Sequence, residues 1–393
     1  MQEKCIVCQS KDLVPSVVRK NMPVMQNVVY DSPAIAKQCP SGNMTLTTCQ
    51  QCGHTFNCLF DPSLVVYDKS YNNIVPSEVM DRYYDQIADY LYQQYNLRKG
   101  SLVEVGCGKG VLLKRISAKY TDVSGLGIDP SFEGNPGPFI ESKLRFIADI
   151  FRPEHLDSDP SLIVCRHVLE HIFNLPQFLR DIRSTLHSWL PVPFFFEVRD
   201  LNWIVNNRAF MDFCFEQPNY FTPDSVRECF RLNGFIVDRI RPAFGDQYLW
   251  VEGYISPDEP AANNKRNPAI GLMTRHLLDY FPKEQDNLNH IRSFLRQKKQ
   301  EKRHTVVWGM STKGILFNYL IDPGSTLVDQ CVDINEDKQG KFLPITGKLI
   351  QAPRDISIMS PNPVIIVMNP AYKAEIIALC KAYKLEADFY DMD

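Results

Sequence analysis

A chain of 393 residues exceeds the size at which one hydrophobic core usually stops growing, so two or three domains are expected. Its 44% hydrophobic and 23% charged residues, with no low-complexity tract, argue against disorder. The formal net charge of −3 removes any general electrostatic reason to bind nucleic acid.

The opening stretch, MQEKCIVCQS, lacks the apolar core of a signal peptide, and no apolar run approaches the ~20 residues that span a bilayer. A cytoplasmic protein with reduced thiols and no membrane partner is expected, despite 12 cysteines. Residues 1–76 follow no long helical period, which predicts short strands and turns around a local staple. Cys5 and Cys8, then Cys49 and Cys52, form two C-x₂-C knuckles that together offer a tetrahedral set of four thiolates to one Zn²⁺. Such a closed shell has no open coordination position, so the metal is expected to be structural. The 40 residues between the pairs exceed the usual zinc-ribbon gap and should form their own hairpin or loop, with Cys39, Cys58 and His54 as lesser ligand candidates.

Ser77 is a candidate N-cap for an amphipathic helix reaching Tyr95, and it opens a second unit, residues 77–256. There SLVEV, VLLKRISAKY, VSGLGID, LRFIAD, SLIVCRHV, FLRDIRSTL and PVPFFFEV alternate strand and helix patterns, the signature of a parallel α/β sheet. GFIVDRIRPAF and QYLWVEGYI read as a closing pair of strands at an antiparallel edge. EVGCGKG lies where the first strand turns into a helix, so Gly106, Gly108 and Gly110 bring backbone N–H groups to an anion. The loop is G-x-G-x-G and carries Glu104 ahead of it, which favours S-adenosylmethionine (SAM) over a dinucleotide, with the methionine carboxylate as the anion. Asp129 ends the next strand, where a carboxylate accepts ribose hydroxyls, and Asp149 ends the one after, where it is expected to accept the adenine amino group. Cys107 and Cys165 read as small packed side chains, and the aromatics of NWIVNNRAFMDFCF as core.

Residues 257–302 read as a linker, Pro257 to Pro268, and a long polar helix, Ala269 to Lys302. A third unit, residues 303–393, repeats the α/β alternation in HTVVWGMSTKG, STLVDQCVDIN, PVIIVMNP and AYKAEIIALCKAYK. Its turn carries Gly309, Ser311, Lys313 and Gly314, suited to a substrate phosphate or to lining a cleft that Lys341 and Tyr372 also face; retention of this unit for packing alone is the competing reading.

These strings resemble the three-part sugar C-methyltransferases over nearly the whole chain: the two knuckles, EVGCGKG, CRHVLEHI, FEQPNYFTP, WGMSTKG, VDINEDKQGKFLP and VIIVMNPAY. The resemblance implies a class I SAM methyltransferase domain of Rossmann-like α/β fold, flanked by a small N-terminal zinc-binding domain and a C-terminal Rossmann-like α/β domain. It implies a nucleotide-linked keto-deoxysugar as the small-molecule substrate, and it leaves the oligomeric state open. Methylating carbon requires removal of a proton beside a ketone, hence a base. In that family a Tyr-His-Glu-His cluster, a histidine after the fourth strand and a tyrosine closing the zinc domain do this work; His171, Tyr71 and Glu216 match three of these positions. Cys214, Phe215 and Gln217 depart from the cluster, and Gln217 stands where the presumed base histidine would be. A neutral amide takes no proton, so His171, Tyr71 or Glu216 supplies the base, or the acceptor is a hydroxyl instead of carbon. Another small-molecule or RNA methyltransferase carrying a zinc module, and a SAM-binding scaffold without turnover, are the rival readings.

Overall fold

In the computed structural model, residues 2–68, 71, 76–98, 100–134, 143–258, 270–356 and 362–392 are described. The N-terminal segment pairs β1 (Leu13–Pro23) with β2 (Ser41–Cys49) as an antiparallel hairpin around the short helix α1 (Pro33–Lys37), so the long gap between the knuckles does build its own hairpin. Strand β3 (Thr55–Asn57) joins β2, and the sheet is completed in the order β1-β2-β3-β9 by a two-residue strand, β9 (Asn219–Tyr220), that comes from far along the chain.

Helix α2 (Glu78–Gln94) starts where Ser77, extended at φ −150°, accepts the Val79 N–H. Its buried Met80, Tyr83, Ile87, Ala88 and Leu91 recur three and four apart and pack on the central sheet. That sheet runs β10 (Phe235–Ala243), β11 (Tyr248–Ile255), β8 (Val192–Arg199), β7 (Leu162–Arg166), β4 (Ser101–Val105), β5 (Ser124–Ile128), β6 (Leu144–Ile147). Strands β4 to β8 are parallel; β11 runs against both β8 and β10, so β10, at the edge, points the same way as the parallel set. Of the expected antiparallel pair, a single strand is reversed. Burial on both faces explains why β7 and the Phe194–Phe196 stretch of β8 read as continuous apolar runs. This is the Rossmann-like α/β fold that the resemblance implies.

The third unit is a fully parallel sheet ordered β14 (Ile350–Gln351), β13 (Gln330–Val332), β12 (Thr305–Trp308), β15 (Val364–Val367), β16 (Asp388–Asp391), with helix α8 (Thr312–Ile321) following β12. Helix α7 spans Ile270–Gln300; Ala269 and most of the expected linker, residues 259–268, lie outside the described residues. The helix is not a polar spacer. Met273, Leu277, Tyr280, Leu288, Ile291 and Leu295 form a buried stripe at helical spacing, packed in one core with Val17 and Met22 of β1, Phe213, and Ile315 and Phe317 of α8. The abundant charges of its solvent side conceal this stripe in the composition. The aromatics Phe210, Phe213 and Phe215 belong to the same core, as expected. No helix among the described residues is long and apolar enough to cross a membrane.

A buried ion pair ties β1 to α7. Arg19 Nη2 meets Glu284 Oε2 at 2.8 Å with side-chain exposures of 3% and 1%, and Arg19 Nη1 also donates to the Phe210 and Phe213 carbonyls at 2.8 and 2.9 Å. Removing one member of a buried pair leaves the other charge uncompensated. Glu284→Leu is therefore expected to cost about 3–5 kcal/mol in chemical denaturation; a change within about 0.5 kcal/mol, the range of an ordinary surface substitution, would show the pair to be dispensable.

Candidate active site and metal centre

The two knuckles converge. Cys5 Sγ lies 3.5 Å from Cys52 Sγ and Cys8 Sγ 3.5 Å from Cys49 Sγ, and all four sulfurs lie within 4.8 Å of one another. A tetrahedron with Zn–S bonds of about 2.3 Å needs sulfurs about 3.8 Å apart, so the quartet fits Zn²⁺. Their mutual hydrogen bonds hold the Cys49 thiol below its ordinary range and push Cys5 and Cys52 above theirs, so the four sulfurs share protons that a cation would replace. Cys39, Cys58 and His54 are outside the quartet. His54 is instead fully buried between Phe56 and Phe221 and neutral, its pKa lowered to about 4 by burial.

The glycine loop joins β4 to helix α3 (Val111–Lys119), and Gly106, Gly108 and Gly110 all have φ between +54° and +76°. At Gly106 a Cβ would fall 2.1 Å from the Val168 Cγ2, so the close approach as well as the backbone conformation demands glycine. Asp129 is bound to this loop: its Oδ2 accepts the Gly108 N–H at 2.8 Å, and its Oδ1 accepts the Ser131 N–H and hydroxyl. Glu104 lies beneath, 3% exposed, its Oε2 without a partner and its pKa pushed up to about 8 by burial. The three glycine N–H groups do not face a ligand anion as expected: they are used within the chain, by the Ile128 carbonyl, Asp129 and the Cys107 carbonyl in turn. Helix α3 begins without a side-chain cap, so a ligand carboxylate would meet its first-turn N–H groups instead, and the ligand's ammonium would answer the orphaned Glu104 oxygen. The chemistry of these donors and acceptors fits the amino-acid tail of SAM. Asp149, beyond β6, is one-third exposed, accepts its neighbour's N–H from Ile150 and pairs with Arg152 at 3.2 Å, placing it at the rim.

At the carboxyl end of β7 the chain enters a sharp bend, with His167 in the left-handed region at φ +53°. His171 closes the short turn Leu169–His171. Its Nδ1 lies 2.6 Å from the Tyr67 hydroxyl and 3.1 Å from the Glu216 carbonyl, to which Tyr67 also donates at 3.2 Å. With Nδ1 protonated, that N–H is shared by two oxygens, and Nε2 keeps its lone pair facing the Gln217 amide at 3.4 Å. Burial lowers the His171 pKa to about 4, so the imidazole is neutral near pH 7. Tyr71 packs edge-on to Tyr67 with centroids 5.1 Å apart and accepts the Asn27 amide at 3.3 Å. Burial first, then the charge of Glu216, pushes both phenols well up, so they are hydrogen-bond donors and not bases. Glu216 itself is fully buried: Oε2 accepts the Gln26 N–H at 3.2 Å, Oε1 has no partner, and its pKa rises to about 7 because of burial.

In the third unit the glycine turn repeats the first one. The Met310 N–H donates to Asp333 after β13, as the Gly108 N–H donates to Asp129 after β5. Yet Lys338, buried in its own short turn, donates from Nζ to the Met310 carbonyl and the Ser311 hydroxyl at 3.2 and 2.9 Å, so this turn is already occupied by a cation of the chain. Gly314 allows close packing, since a Cβ there would lie 2.0 Å from the Gly309 carbonyl. Lys313 is ion-paired with Asp212, which Arg199 also holds. Lys341 pairs with Asp31 on an exposed surface, and Tyr372 packs beside Phe244 at 6.3 Å. His171, Tyr71 and Glu216 are thus brought together, as are Glu104, Asp129 and the glycines; Lys341 lies apart from both groups. Sequence reading missed Tyr67, Asn219, Arg199, Asp212 and Lys338. The tyrosine spacing of VVYDKSY held a signal for Tyr67, whereas the others carry no local pattern.

A family model for a methyltransferase domain matches residues 71–240, and one for a C-methyltransferase C-terminal domain matches residues 261–388. No curated protein matches the chain. Among solved structures, the magnesium protoporphyrin IX methyltransferase of Synechocystis with bound S-adenosylhomocysteine (SAH) is 16% identical, TM-score 0.34, over 45% of this chain and 84% of that one. A 1,6-didemethyltoxoflavin-N1-methyltransferase of Burkholderia thailandensis is 14% identical, TM-score 0.35, over 52% and 96%. The pyocyanin biosynthetic protein PhzM is 14% identical, TM-score 0.34, over 43% of this chain, which spans about half of that protein, 54%. Scores this low carry no argument about the acceptor.

Two outcomes follow from the site. Glu216 keeps its proton to about pH 7 when folded but loses it near its ordinary value of 4.5 when unfolded, so its contribution to stability is present below 4.5 and lost as pH rises to 7. Glu216→Gln should abolish that loss, gaining about 3 kcal/mol on wild type at pH 8 and almost nothing at pH 4.5; a pH-independent difference would contradict it. Stripping metal from the purified chain with a chelator should lower its melting temperature, with about one zinc per chain found before treatment. Unchanged melting and no zinc would dismiss the quartet as a metal centre.

Proposed function

We propose that this methyltransferase, whose chain joins a methyltransferase domain to a C-methyltransferase C-terminal domain, uses SAM to methylate a carbon of a nucleotide-linked keto-deoxysugar or a related saccharide precursor. The observation that carries the reading is the neutral His171, its Nδ1–H fixed by Tyr67 and the Glu216 carbonyl and its Nε2 left unprotonated, one turn beyond the strand that neighbours the glycine loop's own.

Glu104, the first-turn N–H groups of α3 and Asp129 would hold the cofactor, which supplies an electrophilic methyl group when bound. His171 Nε2 then takes the proton beside the ketone, and the resulting imidazolium shares its Nδ1–H with the Glu216 carbonyl and the Tyr67 hydroxyl. The neutral Tyr71 phenol, whose oxygen accepts the Asn27 amide, is the donor for the enolate oxygen in this reading. Zinc stays structural. A second reading, methylation of a hydroxyl by the same base, draws on Gln217, which replaces a second protonatable group.

Labelled SAM incubated with the pure protein and a panel of nucleotide-linked keto-sugars should give a product with the label on carbon. Label on oxygen would favour the second reading, and uptake of SAM without product from any sugar would favour a binding scaffold. His171→Asn is expected to lower kcat by about 10²–10⁴. Glu104→Gln should leave the melting temperature equal or higher, since it removes a buried carboxylate, yet weaken SAH binding at least about tenfold in calorimetry, a loss of about 1.4 kcal/mol. Undiminished affinity would remove Glu104 from the cofactor site.

A further inference from the structure

Strand β9 is two residues long, yet it touches both halves of the candidate active site and the cysteine lobe at once. Asn219, fully buried, donates its amide N–H groups to the carbonyls of Leu169 at 2.9 Å and Ile172 at 2.7 Å, the first residue of the turn that ends in His171 and the residue that follows it. With both amide hydrogens so used, its Oδ1 must face the remaining neighbour and accepts the His54 Nε2–H at 3.0 Å. Tyr220, next in the strand, accepts the Cys214 N–H at 3.0 Å and donates to the Cys214 carbonyl at 3.1 Å, pinning the loop that carries Glu216 and Gln217. The strand is held in turn by Phe56, which pairs with Asn219 in the sheet, and by the Asn57 N–H, which donates to the Pro218 carbonyl. His54 and Phe56 follow directly on the Cys49 and Cys52 knuckle.

Resting on the base role given above to His171, we propose that Asn219 is a positioning residue: through it, the cysteine lobe sets the orientation of the His171 imidazole. A turn of three residues has few hydrogen bonds of its own, so the direction of its last side chain depends on what holds its carbonyls. Here one amide holds the turn at both ends, and its own position is fixed from the metal lobe. The lobe therefore contributes to the site's geometry and not to stability alone.

The test uses the full chain with its native metal, saturated with SAH, and ¹⁵N-imidazole NMR, the His171 signals being assigned from their absence in His171→Asn. In wild type the His171 ring should stay a single Nδ1–H tautomer across pH 5.5–8. Asn219→Asp keeps the shape but turns the two donors into acceptors facing carbonyls. It should give mixed tautomers or a ring that titrates nearer the ordinary value of ~6.5, with SAH affinity within about twofold of wild type. His54→Phe retains the ring packing but removes the N–H to Asn219; it should move the same signals in the same direction and by less, and serves where Asn219→Asp does not fold. Unchanged His171 signals in whichever variant binds SAH would overturn the proposal. Where a product assay exists, kcat should fall with KM for SAM unaltered. The ring spectra answer the question whether or not any sugar is methylated, so failure of the methylation reading is distinguishable.

Discussion

Desolvation where the three sheets meet governs this structure. A charge or amide carried into that junction loses its water and must find a partner, accept a shifted protonation state, or wait for a ligand. Arg19 with Glu284, and Arg199 and Lys313 with Asp212, take the first course and hold the lobes together. Glu104 and Glu216 take the others: each is buried with one oxygen unpartnered, and each has its proton affinity raised. The orphaned oxygen alone does not set these two apart, since Glu170 is also buried with one oxygen unpartnered; His167 holds Glu170 below its ordinary range against the effect of burial, whereas burial raises Glu104 and Glu216.

The same desolvation gives His171 its character. An exposed imidazole would be partly protonated near neutrality, whereas this one is kept neutral by burial and oriented by a carbonyl and a phenol on its Nδ1 side. His167, four positions earlier, is the opposite case. Its ring lies 3.2 Å from Glu197 and 3.6 Å from Glu170, and these carboxylates, against the effect of burial, raise its pKa. Two histidines on one bend are driven to different states by what faces them.

The two parallel sheets also solve one problem twice. In each, a glycine turn leads from a strand into a helix, and an aspartate after the next strand accepts a loop N–H. In the central sheet the helix start is left open to a ligand. In the C-terminal sheet the Lys338 ammonium fills the turn from within. The two turns share a geometry and differ in what fills them, and the C-terminal unit is tied to the central one by the ion pair of Lys313 with Asp212.

What local sequence determines here is whatever short-range physics dictates: knuckles whose spacing gathers four thiolates, a glycine loop in which side chains would clash, and the alternation of strand and helix patterns that makes parallel sheets. Those were legible because each depends on residues a few positions apart. Contacts between distant segments were left to the tertiary structure. Tyr67 reaches His171, Asn219 joins His54 to the His171 turn, and Lys313 meets Asp212, across separations of 104, 165 and 101 residues. No periodicity records such pairings, and the apolar stripe of α7 was hidden for a related reason: its partners come from all three lobes, while its composition is set by the face left in water. Strand β9 is the sharpest instance, since two residues have no pattern of their own and become a strand only because β3 offers them an edge.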